Sequence, residues 1–198
     1  MKAFIFLLPL FIAVSCNETK TTEPAEIKPA PKVEKNYSFG KLYRDSINKY
    51  RLQYPENWEI VSGEAKHTAI KFINRDSSMS LSVNVMPDDG AISYYDLSEN
   101  KLQDYKTKFS EALTSANKPP IDMTADKGFL DSQNAIISSY KFVYRQIDVE
   151  LLFHFYQIQA SKDGNIFTIT LSLPEKYYSS EFKTYINNFL YSFRFDPE

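Results

Sequence analysis

The chain has 198 residues, 43% of them hydrophobic, 15% aromatic and 24% charged, with a formal net charge of -2. This length and composition predict one soluble domain with short appendages, because there is enough apolar material for a core. The near-neutral charge argues against a nucleic-acid partner, since such proteins usually carry a clustered basic excess. The only cysteine is Cys16, which excludes an intrachain disulfide bond.

The first 15 residues have the pattern of a signal peptide. Lys2 precedes an apolar run over residues 4–14 that only Pro9 interrupts, and such a run is too short to cross a bilayer. The following Ala13-Val14-Ser15-Cys16 resembles the lipobox of bacterial lipoproteins, in which the first residue is usually Leu. The resemblance implies removal of residues 1–15, acylation of Cys16 and anchoring to a membrane of the bacterial cell envelope. The alternative is an ordinary secretory signal with an incidental cysteine.

Residues 16–36 differ in composition from the rest of the chain. After Cys16 they contain three prolines, no aromatic residue, and only Ile27 and Val33 as large aliphatic residues. Such a segment buries too little apolar surface to offset its ordering entropy, and prolines extend it. We therefore predict a lipidated, disordered tether over residues 16–36, followed by a globular domain over residues 37–198.

The domain begins with strand patterns. A short strand is expected at residues 42–47, and residues 50–54 alternate apolar with polar side chains before Pro55, which predicts a strand with one buried face. Trp58 is expected to extend the core beyond the end of that strand. Two further strands are predicted over residues 68–73 and 79–85 by the same alternation.

Helical spacing replaces this alternation between residues 94 and 115, and Pro119-Pro120 ends the predicted helix. Residues 122–173 are typical of a strand meander, with strands over residues 136–145 and 149–160 and a hairpin turn at Asp163-Gly164. A closing helix is predicted to begin at Pro174-Glu175. Its apolar face comprises Phe182, Ile186, Phe189 and Phe193. The fold class is therefore predicted as α+β, a mostly antiparallel sheet flanked by two main helices.

The order of these elements and the terminal motifs resemble the Mog1/PsbP-like fold over residues 43–195. The motifs are Tyr50-x-Leu52-x-Tyr54-Pro55-x-x-Trp58 and Ser192-Phe193-Arg194-Phe195. The resemblance implies an α/β/α sandwich. It also implies an accessory or binding protein, since known members act in that way and are not enzymes. No functional residue of those members is carried over to this chain.

Motifs for catalysis and cofactor binding are missing from the sequence. The five glycines are isolated, which excludes a dinucleotide fingerprint, a phosphate loop and a nucleophile elbow. The spacing of His67 and His154 does not indicate a metal site, and Asp88-Asp89-Gly90 is typical of a turn. Ser138-Ser139 and Ser179-Ser180 lack a neighbouring base. No catalytic residue, metal or cofactor is therefore predicted.

Two tyrosine doublets remain as a candidate partner surface: Tyr94-Tyr95 and Tyr177-Tyr178. Each lies where a predicted helix begins, and adjacent helical residues point about 100° apart, so one ring of each doublet is expected outside the core. The leading hypothesis is a non-catalytic envelope module that binds a protein. One alternative is a small-molecule site between sheet and helices. Another is a hydrolase that places His67 or His154 beside a carboxylate and a nucleophile.

Overall fold

The computed structural model describes residues 41–62, 65–75, 78–146, 149–178, 187 and 190–196. The strands before the helix are β1 Lys41–Asp45, β2 Tyr50–Tyr54, β3 Glu59–Val61, β4 Thr68–Asn74 and β5 Met79–Pro87. Helix α1 spans Glu99–Ser115. The strands after it are β6 Ile121–Leu130, β7 Gln133–Gln146, β8 Val149–Lys162, β9 Asn165–Pro174 and β10 Arg194–Phe195.

The strands form two antiparallel sheets. A seven-stranded sheet has the order β3-β4-β5-β9-β8-β7-β6, and a three-stranded sheet has the order β1-β2-β10. Each pairing within both sheets is antiparallel. The prediction of a mostly antiparallel sheet is therefore confirmed, while the division into two sheets was not predicted.

The main core lies on one face of the large sheet, which we call the core face. Ile70 and Phe72 of β4 and Leu81 and Val83 of β5 are buried there, as their alternation predicted. The small sheet covers them with Tyr50, Leu52 and Tyr54 of β2, and Trp58 belongs to the same cluster. The predicted core role of Trp58 is thus confirmed.

Helix α1 packs on the opposite face of the large sheet, which we call the helix face. Leu102 and Tyr105 of α1 are buried together with Met123, Ile136 and Tyr140 of β6 and β7. Within the described residues, no helix combines the length and the apolar character that crossing a membrane would require.

The predicted start of α1 at residue 94 is wrong, because the helix begins at Glu99. Residues 94–97 form a turn in which the Asp96 N–H donates to the Ser93 carbonyl at 3.4 Å, and Ser98 has an extended backbone. This turn buries Tyr94 and Leu97 as a helix would have done. Apolar spacing alone therefore did not separate the turn from the helix.

The predicted closing helix does not begin at Pro174-Glu175. Glu175–Tyr177 form a single 3-10 turn, and Tyr178 is extended. Most of the predicted helix, residues 179–186 and 188–189, lies outside the described residues, although Asn187 and Leu190 are helical. The described chain thus has one main helix where the sequence predicted two flanking helices in an α/β/α sandwich.

Candidate functional site

The first tyrosine doublet divides between core and solvent. Tyr94 is 4% exposed, whereas the side chain of Tyr95 is 93% exposed. The expectation that one ring of the doublet lies outside the core is confirmed, although the doublet lies in a turn and not in a helix. Tyr95 is therefore the member of this doublet that a partner could contact.

The second doublet lies on the other side of the large sheet. Tyr177 and Tyr178 are both half-buried against the main core, whereas Tyr94 belongs to the cluster beneath α1. The structure therefore does not bring the two doublets together into one surface. Lys176 Nζ lies 4.8 Å from the centre of the Tyr177 ring, and Tyr178 stacks on a histidine.

That histidine, His154 of β8, is the centre of a buried polar group. Its ring stacks on Tyr178 with centroids 3.9 Å apart and an interplanar angle of 11°, and its Nε2 lies against Oε2 of Glu175. Lys141 is its cross-strand neighbour in β7, and Lys141 Nζ lies 3.1 Å from Oδ2 of Asp122. The histidine–carboxylate contact required by the hydrolase hypothesis exists, but none of these four neighbours is a serine or cysteine. The contacts of His154 with Glu175 and Tyr178 instead hold the 3-10 turn against the sheet.

The pKa of His154 is lowered, chiefly because burial disfavours its charged form, and Lys141 lowers it further while Glu175 and Asp122 raise it. A histidine with a lowered folded pKa stabilises the fold above its unfolded pKa of 6.5 and destabilises it as the pH falls below that value. We expect the free energy of unfolding to fall below pH 6.5, with this histidine contributing at most about 1.4 kcal/mol per pH unit. In urea titrations at several pH values, the free energy of unfolding of His154→Gln should fall less steeply below pH 6.5 than that of the wild type. His67→Gln, which changes an exposed histidine, should retain the full dependence; equal slopes for both variants would contradict the assignment.

The remaining sequence candidates have structural roles or lie outside the described residues. Asp88 and Asp89 accept hydrogen bonds from the backbone N–H groups of Gly90 and Ala91, both at 2.9 Å, which confirms the predicted turn. Ser138 is fully buried, and Ser179-Ser180 are not described. Over the described ranges, no three His, Cys, Asp or Glu residues are arranged to hold a metal ion.

Strands β7 and β8 extend beyond both of their neighbours in the large sheet. β6 pairs with β7 as far as Lys141, and β9 pairs with β8 as far as Phe153. The next four pairs of the β7–β8 ladder, from Val143↔Leu152 to Gln146↔Val149, have no third strand among the described residues. At about 3.4 Å per residue they project by about 14 Å. We call residues 143–146 and 149–152 the arm.

The arm has apolar side chains on both of its faces. Tyr144 and Leu151 are directly opposite each other, and Val143 is opposite Leu152 on the other face. The exposed fractions are 45% for Tyr144, 39% for Leu151 and 37% for Val143. Arg145 and Glu150 form an exposed ion pair at 2.7 Å, which contributes at most about 1 kcal/mol.

A row of aromatic rings on the helix face connects the arm to α1. Its contacts are edge-on or tilted at the arm, stacked in the middle of the row, and edge-on again where Phe109 of α1 meets Tyr140. Ring pairs of this kind add about 0.5–1.5 kcal/mol each beyond the area they bury. The row therefore supports the arm from one side. Its centroid distances are Tyr144–Phe153 6.3 Å, Phe153–Phe155 6.5 Å, Phe142–Phe155 4.6 Å, Tyr140–Phe155 5.2 Å and Phe109–Tyr140 5.4 Å.

A cleft of about 550 Å³ lies between α1, the segment 90–97 and the helix face of the sheet. Its lining includes Tyr105 and Phe109 of α1, Ile136 of β7 and Gln159 of β8. This volume falls within the range of small-molecule sites. A cavity between sheet and helix is the feature that the small-molecule alternative required.

Sequence reasoning missed the arm, and although one alternative placed a site between sheet and helices, it named none of the residues that line the cleft. The strands 136–145 and 149–160 were predicted, but an overhang depends on where β6 and β9 stop along them. Tyr144 and Leu151, on either side of the predicted turn, were the available signal for the arm. The polar Gln159, two residues after Gln157 in β8, was the available signal for the cleft.

The chain matches the model of a known protein family over most of its length. The family model is described as PsbP, and the match covers residues 40–195. No curated protein matches the chain.

Several solved structures are similar to the chain at low sequence identity, and the first two below have TM-scores above 0.5. The solution structure of cyanobacterial PsbP (CyanoP) from Synechocystis sp. PCC 6803 has a TM-score of 0.56 and 18% identity, covering 78% of this chain and 91% of that chain. A crystal structure from Bacteroides thetaiotaomicron VPI-5482 has a TM-score of 0.52 and 10% identity, covering 81% of this chain and 50% of that chain. The Saccharomyces cerevisiae Ran-binding protein Mog1p has a TM-score of 0.48 and 12% identity, covering 78% of this chain and 94% of that chain.

Proposed function

This chain belongs to the PsbP family, and we propose that it is a bacterial envelope lipoprotein whose PsbP domain binds another protein without catalysing a reaction. The anchor in this proposal is an acyl group on Cys16, and residues 16–36 are the tether between the membrane and the domain. The lipobox pattern Ala13-Val14-Ser15-Cys16 and the composition of the tether support this placement.

The observation that carries the binding role is the arm. A two-stranded ribbon is at best marginally stable in water without a third strand or a covered apolar face. The arm nevertheless exposes Tyr144, Leu151 and Val143 on its two faces. A partner that covered these side chains would remove their apolar surface from water and would order the ribbon. The arm is thus the preferred partner surface.

The shape of the arm favours a protein as the partner. Small molecules bind in concave sites that enclose them, whereas the arm projects from the sheet. Tyrosine is enriched in protein interfaces, and such interfaces place apolar anchors at their centre with charged groups around them. Tyr144 and Leu151 correspond to the anchors, and the Arg145–Glu150 ion pair corresponds to the charged rim.

A photo-crosslinking amino acid placed at position 144 of the full-length, anchored protein tests this proposal in cells. We expect one envelope protein to be attached covalently from this position. Position 47 is the matched control, because Ile47 is 88% exposed but lies in the turn between β1 and β2. Position 95 tests the tyrosine doublet that the sequence singled out. A dominant adduct from position 95 would move the partner surface there, and equal labelling from all three positions would contradict a specific arm interface.

The energetic test uses the double variant Tyr144→Ser/Leu151→Ser with the protein identified by crosslinking. Loss of two central anchors is expected to weaken binding by about 2 kcal/mol, or roughly thirty-fold in Kd. Ile47→Ser should bind as the wild type does. Unchanged binding by the double variant in a titration would contradict the arm as the binding surface.

A further inference from the structure

The cleft beneath α1 is a second site, separate from the arm. Its volume is about 550 Å³, and no arm residue lines it. The walls are formed by α1 and by the segment that connects β5 to α1, and the floor is the helix face of β7 and β8.

The body of the cleft suits an apolar ring. Tyr105 and Phe109 of α1 are stacked on each other with centroids 5.6 Å apart and an interplanar angle of 8°. Ile136 belongs to the floor, and Ile92 and Leu97 come from the connecting segment. Flat aromatic walls favour a flat aromatic ligand through offset or edge-on contacts.

Gln159 supplies a buried hydrogen-bond acceptor to the lining of the cleft. Its Nε2 donates to Oγ1 of Thr168 at 3.2 Å, which orients the carboxamide. Its Oε1 is buried and accepts no hydrogen bond from the described residues. A buried acceptor without a donor is costly, so a ligand that brings a donor N–H or O–H to this atom would gain from that contact.

The charged residues at the rim are already neutralised by neighbours. Lys101 Nζ lies 2.7 Å from Oδ2 of Asp96, and Lys108 Nζ lies 2.8 Å from Oδ2 of Asp104. An anionic ligand would therefore compete with these carboxylates, and a cationic ligand would compete with the lysines. The rim thus favours a ligand without a net charge.

We propose that the cleft binds an uncharged aromatic molecule that carries one hydrogen-bond donor. Its ring lies against Tyr105, Phe109 and Ile136, and its N–H or O–H donates to Oε1 of Gln159. This site is independent of the protein-binding arm, so each proposal can fail without affecting the other.

The probe for this proposal is N-phenyl-1-naphthylamine, an uncharged aromatic amine with one N–H group whose fluorescence rises in an apolar site. Titration into the full-length protein in detergent, corrected for detergent alone, should give saturable binding with a one-to-one stoichiometry. Ser93→Trp places a ring at the exposed mouth of the cleft and should weaken binding at least ten-fold. The matched control is Ser132→Trp, in the exposed turn between β6 and β7, which should bind as the wild type does. Absence of saturable binding, or equal binding by both tryptophan variants, would overturn the proposal.

A second comparison tests the hydrogen bond from the N–H group of the probe to Gln159. Gln159→Met keeps the side-chain length but removes the acceptor, and it should weaken binding of the probe about three- to ten-fold, as expected for one hydrogen bond. The N-methyl derivative of the probe has no N–H group, so its affinity should be equal for wild type and Gln159→Met. Equal weakening of both probes by Gln159→Met would overturn the role of Gln159, because it would indicate altered packing and not a lost hydrogen bond.

Discussion

Phe72→Ala is expected to lower the free energy of unfolding by about 3–5 kcal/mol. Phe72 is 0% exposed in β4, and its ring lies 5.5 Å from that of Tyr43 and 4.7 Å from that of Tyr54. It therefore contacts the small sheet from the large sheet, and its removal opens a cavity where the two sheets meet. Net stabilities of domains are only about 5–15 kcal/mol, so this loss should be visible as a large shift of the urea midpoint.

The next residue in β4 provides the control for this prediction. Ile73 points to the opposite face of the sheet and is half-buried, so Ile73→Ala should cost less than about 1.5 kcal/mol. Phe72→Leu, which keeps most of the volume, should also be milder than Phe72→Ala. Comparable losses for Ile73→Ala and Phe72→Ala would show that the core does not lie on the predicted face.

Cys16→Ser is expected to abolish lipid attachment completely. The serine hydroxyl replaces the thiol that the lipoprotein pattern implies is acylated, so incorporation of a labelled fatty acid should fall to background. Each buried methylene of an acyl chain contributes about 0.8 kcal/mol to membrane binding, and the loss of the chains should release the processed domain from the membrane fraction. Labelling of the serine variant at the wild-type level would refute the lipoprotein assignment.

Ser15→Ala serves as the matched variant for the anchor, since it changes the neighbouring lipobox residue but keeps a small side chain. It should retain both the label and the membrane fractionation. A variant of Cys16 that loses the label yet still requires detergent for extraction would indicate an uncleaved signal peptide. The size of the protein on a gel would identify that species, because residues 1–15 would still be attached.

The local sequence was sufficient to predict the buried face of those strands in which apolar and polar side chains alternate. The alternation over residues 68–73 and 79–85 predicted one buried face for each strand, and the structure confirms this for Ile70 and Phe72 in β4 and for Leu81 and Val83 in β5. The turn at Asp163-Gly164 was likewise predictable, since both residues adopt the left-handed conformation, with φ of 50° and 74°, that Asp-Gly favours in a two-residue hairpin.

Local sequence was insufficient where two conformations bury the same residues. Tyr94 and Leu97 have helical spacing, yet a turn places both of them in the core, and α1 begins only at Glu99. The same ambiguity left open which tyrosine of the doublet would be exposed. The choice depends on the sheet surface against which these residues pack, which the sequence of the segment does not contain.

For this protein the sequence by itself determined the buried faces of strands β2, β4 and β5 and the hairpin turn at Asp163-Gly164, because each of these depends on residues that are neighbours in the chain. The tertiary structure alone decided the arm, the cleft and the pairing of β10 with β2. These features depend on the register between distant segments and on where one strand stops beside another. A strand presents the same alternation whether or not a neighbour covers its end, so Tyr144, Leu151 and Gln159 acquire their roles only from the strands and helix that surround them.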